Sequence, residues 1–419
     1  MKVLVVGGGG REHALIWKLA QSPDVTKIYC APGNGGIGEI AELVPIGAMD
    51  VDGIVNFSKA HQIDLVVVAP DDPLAIGMVD ALEAAGVKAF GPRKNAAAIE
   101  ASKVFAKELM KKYHIPTADY RVFDDSRDAM DYVKQAELPL VVKADGLALG
   151  KGVLICHTRD EAIQAVRTIM EDKKFGNAGQ RIVVEEFLTG PEVSVLAFTD
   201  GKTIKPMVSV QDHKRAFDQD KGPNTGGMGT FSPSRVYTEA IARECMETIF
   251  KPTVQAMNRE GRTFKGVLYF GLMLTEKGPR VLEYNARFGD PETQVVMPRL
   301  KTDLLKIMLA VVHEELDKIE IEWYQDAAVC VVMASGGYPE SYEKGFEITG
   351  LDQFDNRSDI MIFHAGTKKE GDTFLTNGGR VLGVTARGAD LEEARRKAYD
   401  AVSRIHFKNA HYRRDIGIK

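Results

Sequence analysis

"LPLVVKADGLALGKGVLICHT", residues 138–158, is the stretch on which the fold turns. Two apolar runs, around Val141 and around Leu154, flank a loop that holds Gly146, Gly150, Lys151 and Gly152. The loop has a superficial likeness to a P-loop, but its G-x-x-x-G-K-G spacing is one residue short and Gly152 stands where a metal-binding Ser or Thr belongs. A strand follows it, whereas a P-loop opens a helix. The pattern therefore predicts a glycine-rich hairpin that folds over phosphates as a flap, with backbone N–H groups and Lys151 as contacts. Lys143 lies inside the first apolar run, and because an unpaired buried ammonium is costly, an anionic partner is expected beside it.

On the N-terminal side, "ASKVFAKELMKKY" (101–113) has helical periodicity and stops near Pro116, so a second module begins at Ser102-Lys103. The hundred residues before it alternate strand and helix signals: "KVLVVGG", "REHALIWKLAQ", "KIYCAPG", "IVNFSKAHQ" and "DLVVVAP". Continuous Val-rich strands between helices indicate a parallel sheet covered on both faces. Ligands of such sheets sit at the carboxyl ends of the strands, here Gly7–Gly10, Pro32–Gly36 and Pro70–Asp72. A nicotinamide-cofactor fingerprint fails, because Gly7 is followed five positions later by Glu12 and the second strand ends in "CAPGN" without the required acid. A glycine turn opening a helix is still a good anion site, so a phosphorylated small molecule is expected at Gly9, Gly10, Arg11 and His13, with a tight strand-to-helix turn that binds nothing as the equal alternative from this stretch.

On the C-terminal side, "RIVVEEFLTGPEVSVLAFTDG" is a strand, an apolar link and a strand. "QDHKRAFDQDKGPNTGGMGTFSP" (211–233) is long, charged and glycine-rich without periodicity, and is read as a substrate loop. "FKGVLYFGLMLTEKG" leads by a hairpin into "RVLEYNARFGDPET" (280–293). Strict alternation there would put Val281, Glu283, Asn285 and Arg287 on one face. A carboxylate and an amide oxygen suit a hard divalent cation, and Arg suits a phosphate or carboxylate beside it. From Asp326 onward the signals are those of a small α+β unit, whose only chemistry is Gly336, Gly337 and His364 at strand ends.

Composition narrows the classes. A formal charge of -5 over 419 residues argues against nucleic-acid binding through a generally basic surface. The four cysteines are widely spaced with no paired motif and are expected to be reduced and mostly buried, and the nine histidines show no metal-ligand spacing, which makes zinc chemistry unexpected. No apolar run is long enough to span a bilayer, and the run Val3–Val6 ends in glycines without a signal-peptide core, so a cytoplasmic protein is expected.

Read in order, Lys103, Lys143 with its glycine flap, "EEFLTGPE", the charged loop and "EYNARFGD" resemble an ATP-grasp enzyme. "APGNGG", "KADGLALGKGV", "QDHKRAFD", "KGPNTGGMG", "NARFGDPETQ" and the terminal "RRDIG" are similar to the phosphoribosylamine-glycine ligase (glycinamide ribonucleotide synthetase) family, from Val3 to Gly417. The resemblance implies an α/β and α+β multidomain chain. Residues 1–102 would form an N-terminal parallel-sheet substrate-binding domain and 103–325 an ATP-grasp domain, with a mobile flap at about 121–190; residues 326–419 would form a C-terminal α+β domain. It implies ATP-dependent joining of glycine to 5-phosphoribosylamine through a glycyl phosphate, with Mg2+ or Mn2+, in a monomer that binds neither nucleic acid nor membrane.

By the same resemblance, Lys103, Lys143, Gly146, Gly150, Lys151 and Gly152 would hold ATP phosphates. Glu185, Glu186 and Leu188 would meet adenine, and Glu192 the ribose. Glu283 and Asn285 would bind the metal. Lys143, Arg287, Asp212, Lys214 and Arg215 would serve the reaction. Gly9, Gly10, Arg11, His13, Asn34, Asp71, His213, Asn224–Gly227 and Asp290 would position the substrates. Two departures stand out: "VLYFGLML" lacks the acidic ligand many ATP-grasp enzymes carry there, and "APDDPL" has Ala69 and Asp71 where the family usually has "GPE". Another carboxylate-amine ligase of the superfamily and a non-catalytic nucleotide-binding regulator are the alternatives. The loop "DHKRAFD" speaks against the first, and the retained lysines and metal ligands against the second.

Overall fold

The computed structural model describes residues 1–147, 152–355 and 357–418. Its first layer is a five-stranded sheet in the order Glu42–Leu43, Lys27–Pro32, Lys2–Gly7, Leu65–Val68, Ala89–Phe90, parallel throughout. The Val-rich runs are buried on both faces, as a doubly covered sheet demands. Leu4, Val6, Val66 and Val68 enter one core and Val3, Val5, Leu65 and Val67 the other. Gly7 ends the central strand at φ 118°, where a Cβ would stand 2.7 Å from Glu12 Cγ, so the turn into the helix Gly10–Leu19 requires glycine.

The strands Ile204–Pro206, Glu192–Thr199, Gly266–Thr275 and Gly278–Asn285 form an antiparallel sheet in that order. A second four-stranded sheet, Tyr120–Phe123, Ile182–Glu186, Leu140–Ala144 and Val153–Cys156, contains the predicted hairpin. It has a core of its own, drawn from residues between Ala129 and Val184. Gly150 and Lys151 of the flap lie outside the described residues.

The C-terminal sheet runs Gln211–Asp212, Gly229–Ser232, Ala327–Ala334, Arg380–Gly388, Ile360–His364. The helix Leu391–Val402 covers it through the fully buried Ala394, Ala398 and Ala401. Its first two strands come from the stretch expected to be an aperiodic loop. That stretch holds four short strands, including the hairpin Arg215–Phe217 with Lys221–Asn224. Strands of two to four residues are too short to show a period, which is why the sequence reads as loop.

The cores do not follow the sequence order. One cluster joins Val3, Val5 and Leu15 to Leu196, Val267, Leu305 and Ala328. All four cysteines are buried and unpaired. Among the described residues no helix is long and apolar enough to cross a membrane.

Candidate active site

Two groups of charged side chains meet along the strand Gly278–Asn285 and the turn after it. The alternation expected for that strand breaks: Gly271 pairs with Glu283 but Leu272 pairs with Val281, leaving Leu282 as a bulge. Val281 therefore joins Tyr284 and Ala286 in the core rather than sharing a face with Glu283. The freed carbonyl of Leu282 accepts from Lys143 Nζ at 3.1 Å.

Lysines dominate the first group. Lys143 Nζ pairs with Glu185 Oε2 at 2.9 Å, and Lys107 Nζ approaches the same oxygen at 3.1 Å. All three side chains are almost fully buried, so the anion expected for Lys143 is Glu185, shared with a second lysine. Lys103 Nζ donates to the Gly146 carbonyl at 2.8 Å, bringing the base of the flap to the helix Lys103–Lys112. Lys214 Nζ stands 3.5 Å from Glu192 and 3.7 Å from Glu283. Burial disfavours the Glu283 carboxylate, yet Lys214, Lys143, Lys103 and Arg287 together hold its pKa below the ordinary value. Burial lowers Lys107 to about 8, with Glu185 opposing and Lys143 adding to the fall. It also lowers Lys103, against the pull of Glu283. Burial pushes the Asp212 carboxyl up to about 7 despite Lys214, and Glu292, Glu192 and Glu283 add to the rise. Lys214 behaves differently from Lys103 and Lys107: burial opposes its charge, but Asp212, Glu192 and Glu283 together raise its pKa well above the ordinary value.

The second group surrounds Arg287. Glu100 Oε1 pairs with Arg287 Nη2 at 3.1 Å, and its other oxygen accepts from Ala286 N–H at 2.7 Å. Glu100 and Asp71 both raise the Arg287 pKa against the effect of burial. From the N-terminal glycine turn, Arg11 Nη1 donates to Phe288 O at 3.1 Å, while Gly9 N–H donates to Glu12 at 2.6 Å. Arg380, from the C-terminal sheet, pairs with Asp290 at 3.3 Å and donates to Gly226 O at 2.9 Å. Gly9, Gly10, Arg11, Asp71, Arg287, Asp290, Gly226 and Gly227 are thus gathered from three parts of the chain.

Other expected residues stand elsewhere or are engaged by the fold. His13 Nδ1 accepts from His364 N–H at 2.8 Å, and the Asn34 amide donates to Gly8 O and His364 O. Both side chains tie the N-terminal turns to the strand Ile360–His364. Glu186 Oε1 accepts from Asp119 N–H. Arg215 donates to Gly222 O across its own hairpin, where Asn224 is its strand partner. His213 packs against Phe231, and Thr225 Oγ1 donates to Lys214 O at 2.7 Å. Gly152 O accepts from Ala144 N–H, and Leu188 is half-buried in the link after Glu186. Asn285 Oδ1 accepts from Arg287 Nη2 at 3.4 Å.

Glu100, Lys107 and Arg380 escaped the sequence reading. Lys107 carried a signal, since it stands three residues from both Val104 and Met110 on the buried stripe of its helix. Glu100 and Arg380 carried none, because their partners lie 187 and 90 residues away.

Glu283 and Asn285, two positions apart on one strand, offer two hard oxygen donors of the kind a divalent cation takes. Among the described residues no set of three or more Asp, Glu, His or Cys side chains is arranged to hold a metal.

Family models for phosphoribosylglycinamide synthetase match nearly the whole chain. The N domain matches residues 1–100, the ATP-grasp (A) domain 101–293 and the C domain 328–419. The chain is 48% identical over 419 residues to a phosphoribosylamine-glycine ligase of Halalkalibacterium halodurans, covering 100% of this chain and 97% of the relative. It is 50% identical over 424 residues to one of Rhodopirellula baltica, with coverage of 100% and 97%. The crystal structure of the phosphoribosylamine-glycine ligase of Thermotoga maritima superposes with a TM-score of 0.87 at 34% identity, covering 99% of this chain and 100% of the other.

Proposed function

The chain belongs to the phosphoribosylglycinamide synthetase family, and from that premise we propose how its own side chains carry the reaction. It is an ATP-grasp carbon-nitrogen ligase that joins glycine to 5-phosphoribosylamine in purine synthesis, giving glycinamide ribonucleotide, ADP and phosphate. The observation that carries the residue assignment is the excess of lysine around Glu185 and Glu283.

In the first step a glycine carboxylate oxygen attacks the γ-phosphorus of ATP, the bond to the β-phosphate oxygen breaks, and ADP leaves glycyl phosphate. The amine of phosphoribosylamine then attacks the acyl carbon, phosphate departs, and the amine's proton passes to solvent. Both reactants of the first step are anions, so Lys103, Lys143 and Arg287 lower its barrier by neutralising charge as it gathers. Glu283 and Asn285 would hold Mg2+ or Mn2+, which acts as a Lewis acid on phosphate oxygens when bound. Glu185 to Leu188 would receive adenine and Glu192 the ribose. Asp212 and Lys214 orient glycine, the turn Gly9–Arg11 and the Asn224–Gly227 segment receive the phosphate of phosphoribosylamine, and Asp71, with Asp290 nearby, accepts from its sugar hydroxyls. Holding the reactants in line is worth about 7–11 kcal/mol. Glycyl phosphate hydrolyses in water, so closure of the flap protects it.

This assignment divides the chain at 102 and 325, with residues 121–190 as the moving lid. We read the enzyme as a monomer. Its four buried, unpaired thiols suit the cytoplasm.

The test is ADP release from ATP, Mg2+ and glycine, with and without phosphoribosylamine generated in the cuvette from ribose 5-phosphate and ammonia. Release that requires both substrates, with glycinamide ribonucleotide detected by mass spectrometry, is expected. Silence with both present, in protein that binds ATP, would refute the substrate assignment.

A further inference from the structure

The terminal motif "RRDIG" takes no part in the chemistry above, yet its first arginine is among the largest fully buried side chains of the molecule. Arg413 Nε and Nη2 donate to the two Asp415 oxygens at 2.8 and 2.7 Å, forming a fork. Its Nη1 donates to the Arg215 carbonyl at 3.0 Å and to Asp220 Oδ1 at 2.9 Å. The backbone around it repeats the connection: Gln219 N–H donates to Asp415 at 2.8 Å and Arg414 N–H to Asp218 at 2.7 Å. His411 Nε2 lies 2.8 Å from the Ala216 carbonyl. Every residue from Arg215 to Asp220 except Phe217 is thereby tied to the last residues of the chain, and Phe217 packs edge-on to His411.

The hairpin tip needs such support. Gln219 and Asp220 have φ of 60° and 53°, a left-handed conformation that costs non-glycine residues about 1–3 kcal/mol each unless their surroundings fix it. Just inside the tip, the Lys214 carbonyl accepts from both Thr225 N–H and Thr225 Oγ1, and the Arg215 carbonyl goes to Arg413. The backbone that aims Lys214 at Glu192 and Glu283 is thus held on one side by its own hairpin and on the other by the tail.

We infer that Arg413, with Asp415 and Asp220, is a positioning residue that sets the substrate hairpin 211–229 and through it Lys214. The inference rests on the assignment of Lys214 to the substrate site. A fork held at four points explains arginine here, since lysine delivers the charge but not the planar set of donors.

Arg413→Lys and, at the half-exposed hairpin tip, Asp220→Ala test it in the full-length protein. Both are expected to lower kcat for glycine- and phosphoribosylamine-dependent ADP release by about 10- to 100-fold, the scale of a small misplacement of a reacting group. The Kd of a non-hydrolysable ATP analogue is expected to stay at its wild-type value in both, and Arg413→Lys, which leaves a fully buried ion pair incomplete, is expected to melt earlier than Asp220→Ala. If Arg413→Lys melts early, Asp220→Ala decides. Wild-type kinetics in a folded Asp220→Ala, or loss of nucleotide binding in step with kcat, would overturn the positioning role. Wild-type protein that shows no substrate-dependent release at all would instead overturn the functional assignment on which the inference rests.

Discussion

Lys107 and Lys143 converge on one oxygen of Glu185, and this shapes what happens when a nucleotide arrives. Lys107 titrates at about 8 because burial and the neighbouring Lys143 outweigh Glu185. Phosphates drawn to Lys143 would add negative charge beside Lys107 and raise it. Nucleotide binding near pH 8 should therefore take up protons, and affinity should fall as pH rises beyond that value. Calorimetric titration with an ATP analogue in two buffers of different ionisation enthalpy measures the uptake; equal heats in both buffers, or unchanged uptake in Lys107→Met, would refute it. His13 and His364 give an opposite case. Burial, helped for His13 by the charge of its partner, lowers them to about 3 and about 4. Between those values and 6.5 the unfolded chain binds protons that the folded chain does not, so stability rises with pH there. It is lost as pH falls below 6.5, at up to about 1.4 kcal/mol per pH unit for each ring. His13→Asn keeps an acceptor for His364 N–H without titrating, so urea unfolding at pH 7.5 and 5.5 should show a smaller loss in the variant.

At the scale of elements, the strand Gly278–Asn285 serves the core and the site at once because of its bulge. Val281 and Tyr284 pack inward although their spacing is odd, and Glu283 is left among lysines. Glu283→Gln keeps the shape and the strand pairing but removes the charge that Lys214, Lys143 and Lys103 surround. Turnover should fall by about 100- to 1000-fold, the scale of losing one preorganised electrostatic contact, with little change in melting temperature. Turnover near that of the wild type would remove Glu283 from the mechanism. Elements of this kind mark the limit of the sequence reading. The parallel Val-rich strands, the glycine hairpin and the cluster "EYNARFGD" were legible because each is a local pattern. The bulge was not, since period-two reading assumes an unbroken ladder. The strands within 211–232 were not, since runs of two to four residues show no period and the one that joins them to the C-terminal sheet pairs with Ala327–Ala334, far along the chain. Arg380, Glu100 and the tail contacts of Arg413 exist only once distant segments meet.

For the whole molecule, the cores predict which parts open together. The N-terminal sheet, the central antiparallel sheet and the C-terminal sheet share a buried cluster that includes Val3, Leu196 and Ala328, so none of the three can expose its face alone. The sheet that carries the flap differs, because its core is filled by residues from Ala129 to Val184. Its connections to the rest are largely polar: Lys143 to Leu282, Lys107 to Glu185, and Asp145 to Ser102 and Val104. Polar links can trade protein partners for water at little net cost, whereas a shared apolar core cannot. Residues 121–190 should therefore open as a unit, at lower free energy than the strands of the shared core. Hydrogen exchange should show early deuteration of amides in Leu140–Ala144 and Ile182–Glu186 relative to Val3–Val6 and Val193–Phe198. An ATP analogue with Mg2+ should slow exchange in the first pair of strands by closing the lid and leave the second pair nearly unchanged. Equal protection of all four strands without nucleotide would show that this sheet is no separate unit, and an unequal pattern indifferent to nucleotide would separate the unit from any closing motion.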